Sequence, residues 1–139
     1  MRAAAWISSI VLGIVLVLGG VVTWSVVAST LSAQRITVSA DADCFAGADV
    51  DNPFAAYCQA KVIDKHTLGI TGGKTYAELD QDDPLRQTAM TSAFLQSSLF
   101  TSVLAFGMSA VAVAMGLIFV LLGLGMRDVS RKAEPVPVS

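Results

Sequence analysis

At 139 residues the chain has room for one domain, and 54% hydrophobic content with only 14% charge is too apolar for an ordinary soluble one. A formal charge of −2 and the lack of any basic stripe exclude a nucleic-acid footprint. The two cysteines, Cys44 and Cys58, both fall in the polar middle of the chain.

The first element is an uncharged apolar run from Ala3 to Ala28. A signal peptide is the competing reading, since Val26-Val27-Ala28 is an acceptable cleavage pattern. A single Arg2 precedes the run, however, and 26 residues far exceed an h-region of about 7–15, so an uncleaved transmembrane helix is expected. Trp6 and Trp24 lie 18 residues apart, about 27 Å along a helix, and fit two interfacial aromatic belts as anchors.

The helix is expected to continue a turn or two beyond Ala28, to Gln34. Ile36-Thr37-Val38 is β-like and short. The loop from Asp41 to Asn52 holds four aspartates, but Phe45 and Ala46 occupy the positions where a calcium loop wants an oxygen ligand and a glycine. A solvated acidic turn is the expectation. Asn52 then caps a helix with Pro53 in its first position, Phe54, Tyr57, Cys58 and Val62 sharing a face, and Gly69 as the stop. Thr75-x-x-Glu78 matches a capping box for one more short turn.

Cys44 and Cys58 enclose 13 residues, and a structural disulfide between them would pin the acidic loop to the Pro53 helix. A metal site from both cysteines and His66 has no recurring metal spacing. Gly72-Gly73-Lys74-Thr75 resembles the end of a phosphate loop, yet Leu68 stands where the Walker pattern needs glycine. His66, the only histidine, lacks an evident nucleophile or orienting partner and reads as a surface residue. No cofactor, metal or catalytic residue is expected, and the chain reads as no enzyme.

Asp83 suits an N-cap and Pro84 a first helical position for the longest element, which is expected to run 43 residues to Met126, about 64 Å. Its second half, Val103 to Met126, has 24 residues without a charge, enough to cross a hydrocarbon layer of about 30 Å. Its first half, from Leu85 to Ser102, carries one base and no acid, too little charge for a solvated helix. Cover by the loop domain and a partner protein is expected there. Neither apolar run holds an ionisable residue, which argues against a transporter or proton channel built from this chain alone.

Small residues mark the expected helix-packing faces: Ser9, Gly13 and Gly20 on the first helix, and Ala105, Ser109, Ala112, Gly116 and Gly123 on the second. Gly107, Ala110 and Ala114 form another row that one neighbour would not use as well. Charge sets the orientation. From Ser29 to Thr88 nine acids face five bases, whereas Arg2 precedes the first helix and Arg127, Arg131 and Lys132 follow the second. By the positive-inside tendency both termini are cytoplasmic and the loop lies outside the cytoplasm, with Arg127 as a further interface anchor.

The fold expected is an all-α membrane protein, a two-helix transmembrane hairpin with a long second helix and a small extracytoplasmic cap of short helices and loop. Its parts are transmembrane helix 1 over 1–28, the cap over 29–83, the long helix over 84–126 with its transmembrane part about 103–126, and a cytoplasmic tail over 127–139. The end of that tail, 133–139, reads as a flexible Pro-Val segment.

Lys65-His66-Thr67-Leu68, then Thr71 to Leu79 (TGGKTYAEL), then Asp83-Pro84-Leu85-Arg86, together with Ser98-Leu99-Phe100-Thr101-Ser102 and the apolar run after it, carry a resemblance that covers nearly the whole chain. The chain resembles a family of small two-helix membrane proteins of actinobacteria. Such proteins often bear the label aromatic ring-opening dioxygenase. This sequence does not support the label, because non-haem iron chemistry typically takes two histidines and a carboxylate and only His66 is present. The resemblance implies no catalytic residues that could be carried over and no settled function; the plasma-membrane location is expected from the apolar runs and the charge asymmetry.

The expected function is that of a non-catalytic accessory, assembly or stabilising subunit of a larger integral-membrane complex, with respiratory and envelope lipid-transport assemblies as the hosts in actinobacteria. Membrane lipid and other integral-membrane subunits are the expected partners. The alternatives are a homo-oligomeric scaffold or pore, and an extracytoplasmic sensor of a lipid or small ligand.

Overall fold

The computed structural model describes residues 2–132. The Pro-Val end expected over 133–139 lies outside the described residues. The described chain is helical throughout its regular parts: α1 (Arg2–Ala33), α2 (Pro53–Ile70), a one-turn 3-10 helix (Tyr76–Glu78) and α3 (Arg86–Lys132). Both α1 and α3 are long and apolar enough to cross a membrane. The residues fall into two compact units, a paired-helix unit of 2–24 with 108–132 and a cap unit of Ser25–Gly107.

The paired-helix unit is built on backbone approach. A Cβ added at Gly13 would meet the Gly116 carbonyl oxygen at 2.6 Å, and one at Gly116 would meet the Gly13 oxygen at 2.6 Å. Gly20 lies as tightly on Ser109 and Val113, and Gly123 on Trp6 and Ile10. Partners fall in number on α3 as they rise on α1, so the helices run antiparallel. Ser9 adds a hydrogen bond, its hydroxyl donating to the Phe119 carbonyl at 2.8 Å. Lipid offers no hydrophobic drive for association, so such close packing is what holds paired helices together there.

The cap unit has a small core of its own. Ala55, Ala56 and Ala60 of α2 are fully buried, with Val38, Val50 and Phe106 the largest enclosed side chains. The face expected to carry Phe54, Tyr57, Cys58 and Val62 divides: Cys58 and Val62 are buried, whereas Phe54 and Tyr57 are 68% and 47% exposed. Alanines take the inner face because they let neighbouring backbone come close, which pushes the large rings to the margin. Ile36 and Val38 form a short ladder with the acidic loop, the Val38 N–H donating to the Ala48 carbonyl and the Val50 N–H to that of Ile36.

Helix ends follow local chemistry, with three corrections. Asn52 Oδ1 accepts from the N–H groups of Phe54 and Ala55, capping α2 above Pro53. Gly69 does not stop α2, which runs one residue further; Gly72 and Gly73 do, at φ of +65° and +86°. The Gly73 N–H closes on the Leu68 carbonyl, the six-residue bond of a Schellman ending. The glycines that resemble a phosphate loop therefore end a helix. Asp83 does cap, accepting from the Leu85 N–H at 2.8 Å, but regular α3 begins at Arg86, two residues later than expected. At its other end α3 passes Met126 and continues to Lys132, where Arg131 and Lys132 complement the exposed carbonyls of the last turn.

Candidate functional site

Cys44 and Cys58 are joined by a disulfide that ties the acidic loop to α2. Phe45, next to it, adopts a left-handed conformation (φ +53°), which a bulky residue rarely does, and its ring stacks on Phe54 with centroids 6.4 Å apart. Tyr57 meets Phe100 of α3 edge-on at 6.1 Å. Phe54 and Tyr57, three residues apart on α2, are surface neighbours. Phe45, Phe54, Tyr57 and Phe100 thus form one aromatic row, each ring between 42% and 68% exposed.

Elsewhere α2 and α3 meet through small polar groups. Thr67 and Ser92 share a hydrogen bond between hydroxyls, and Gln96 donates to Ser92. This partly covers the exit segment from Leu85 to Ser102, as expected. Ala89, Ser92 and Leu99 are buried, but Phe94 and Leu95 remain 68% and 49% exposed. Arg86 seals the start of α3 by donating to the Leu79 carbonyl and lying over the Tyr76 ring at 4.4 Å.

A groove of about 660 Å³ opens on another side of the cap unit. The end of α1 supplies Val27 and Leu31, and Gln34 just beyond it adds to them; α2 supplies Gln59 and Ile63; α3 supplies Leu95, Ser98, Leu99 and Ser102. None of its lining residues is ionisable. Its hydroxyls mostly point inward to their own helices. Thr30 donates to the Val26 carbonyl, Thr101 to that of Ser97 and Ser102 to that of Ser98, while the Gln59 side-chain oxygen accepts from the Ser39 N–H. Three separate segments build this groove, so no run of the sequence announces it.

His66 has a partner that sequence reasoning missed. Its Nε2 lies 2.5 Å from Asp41 Oδ2, and this hydrogen bond is the main reason the Asp41 carboxyl is held below its ordinary pKa. Glu78 is held low as well, by the N–H and hydroxyl of Thr75. The His66–Asp41 pair sits at the surface, and both cysteines are consumed in the disulfide. Among the described residues no group of three or more His, Cys, Asp or Glu is placed to hold a metal ion.

Of the residues read as helix-packing, Gly13, Gly20, Ser109, Gly116 and Gly123 are buried and Ser9 and Ala112 half-buried, all in the paired-helix unit. Ala105 stands apart: it belongs to the cap unit and lines the groove. Gly107, Ala110 and Ala114, the other small row, are exposed. Of the anchors, Trp24 is 39% exposed, and Trp6 is half-buried beneath the Arg127 guanidinium, 5.6 Å from its ring centre. No family model, no curated protein and no solved structure matches the chain.

Proposed function

We propose that this chain is a non-catalytic accessory or stabilising subunit of a larger integral-membrane complex, inserted as a hairpin with both termini cytoplasmic and the cap outside. The aromatic row Phe45, Phe54, Tyr57 and Phe100 is the observation that carries this reading. Outside lipid, contiguous exposed rings of this kind mark a surface that another protein covers, and aromatic residues dominate the energetics of such contacts. The disulfide supports the orientation, since such bonds persist in oxidising compartments. The resemblance to actinobacterial two-helix proteins makes respiratory or envelope-transport assemblies the host class.

Purification of the full chain in a gentle detergent, followed by mass spectrometry, should recover foreign subunits in stoichiometric amount. Phe54→Glu should release them while the circular dichroism spectrum stays unchanged. Recovery of self-copies alone would transfer the reading to a homo-oligomeric scaffold. A reporter fused after Ser139 should report from the cytoplasm; an external signal would refute the orientation.

A further inference from the structure

The groove in the cap unit has a character unlike the aromatic row, and it points to a different kind of occupant. Its lining carries no charge. The hydroxyls of Thr30, Thr101 and Ser102 are spent on their own helix backbones, so they present little more than methyl and methylene surface to a guest. Beyond the Gln34 and Gln59 amides and the Ser98 hydroxyl, a polar ligand would find no side-chain donor there, whereas a hydrocarbon chain can lie along the apolar majority of the lining. The volume of about 660 Å³ lies within the range of about 300–1,000 Å³ usual for small-ligand sites.

The position of the groove narrows the guest further. Val26 and Val27 belong to the first apolar run and Ala105 to the second, and all three line the groove. Val26 is itself 56% exposed, and Leu104, beside Ala105, is 66% exposed. Where α1 and α3 span a bilayer, such side chains face acyl chains, so this end of the groove opens onto lipid-facing surface with no charged residue between. Its other wall, Gln59 and Ile63, lies on α2, outside both apolar runs.

We infer that the groove holds one acyl chain of a membrane phospholipid, drawn out of the bilayer along α1 and α3 and laid against Ile63 of α2. This goes beyond the subunit reading and does not depend on it; it rests only on α1 and α3 spanning the membrane.

The full chain in phosphatidylcholine nanodiscs, doped with a phosphatidylcholine bearing a diazirine at the end of one tail, tests the assignment. After photolysis and proteolysis, adducts are expected on the α2 peptide containing Gln59 and Ile63 as well as on the apolar runs. Leu95→Glu, a change at an exposed position, sets a charge in the groove wall and should lower α2 labelling about fivefold or more while labelling of the apolar runs stays constant. Ser102→Phe, which fills the groove, should do the same and serves if the first variant is poorly folded. Labelling confined to the apolar runs, as when a partner protein fills the groove, would overturn the inference. So would α2 labelling that neither variant lowers.

Discussion

The paired-helix unit and the cap unit are held together by different means. In the first, glycines bring backbone against backbone, and large side chains such as Leu121 and Leu18 point away, 67% and 60% exposed. In the second, a few buried alanines and valines make a conventional but thin core, fixed by a disulfide, an Asn52 cap and a glycine-ended helix. The contrast follows from the solvent each sequence is suited to. Apolar burial stabilises only where the alternative is water; in lipid, contact geometry has to replace it.

The largest expected effect breaks the first unit. Gly116→Ala places a Cβ on the backbone of Gly13 and Val17, and neither can yield; overpacking of this kind costs about 1–3 kcal/mol. Gly116→Leu should separate the helices altogether, read as a fall in thermal stability and a change in particle size in detergent. An equal loss from Gly107→Leu, where nothing lies within 4 Å of the added Cβ, would show that helix propensity rather than contact is at stake. A comparable change in the cap is loss of the disulfide. Cys44→Ser with Cys58→Ser should cost about 3 kcal/mol in the chain-entropy model. Hydrogen exchange should rise in the Asp41–Asn52 loop and stay unchanged over 108–132.

The smallest effect concerns Asp41 and His66. The Asp41 carboxyl is held below 3.8, so its contribution is complete above that pH and is lost as pH falls through the lowered value. Melting temperature should therefore drop more steeply in the native chain than in Asp41→Asn as pH falls below 3.8. At neutral pH the two should nearly coincide, as is usual for exposed pairs.

What could be read from sequence is what depends on neighbours along the chain. The Asn52-Pro53 start of α2 and the Glu78 contact with Thr75 involve residues within three positions, and both are present. The glycine faces of α1 and α3 were legible because helical spacing places them before any partner is known. Gly69 misled because a glycine stops a helix only where positive φ is used, and that use falls to Gly72 and Gly73. The Asp41–His66 contact spans 25 residues, and the groove collects side chains from α1, α2 and α3. Neither has a local signature, since periodicity reports which face is apolar but not what lies opposite.

The reciprocal contact of Gly13 and Gly116 bears on how the paired helices can move. A slide of one helical turn, about 5.4 Å, would carry Ser9 or Val17 into the place of Gly13, where no side chain fits. The pair is therefore a strut and not a piston, with axial displacement of one helix along the other blocked. A receptor that signals by such a stroke would need a smoother track than this one.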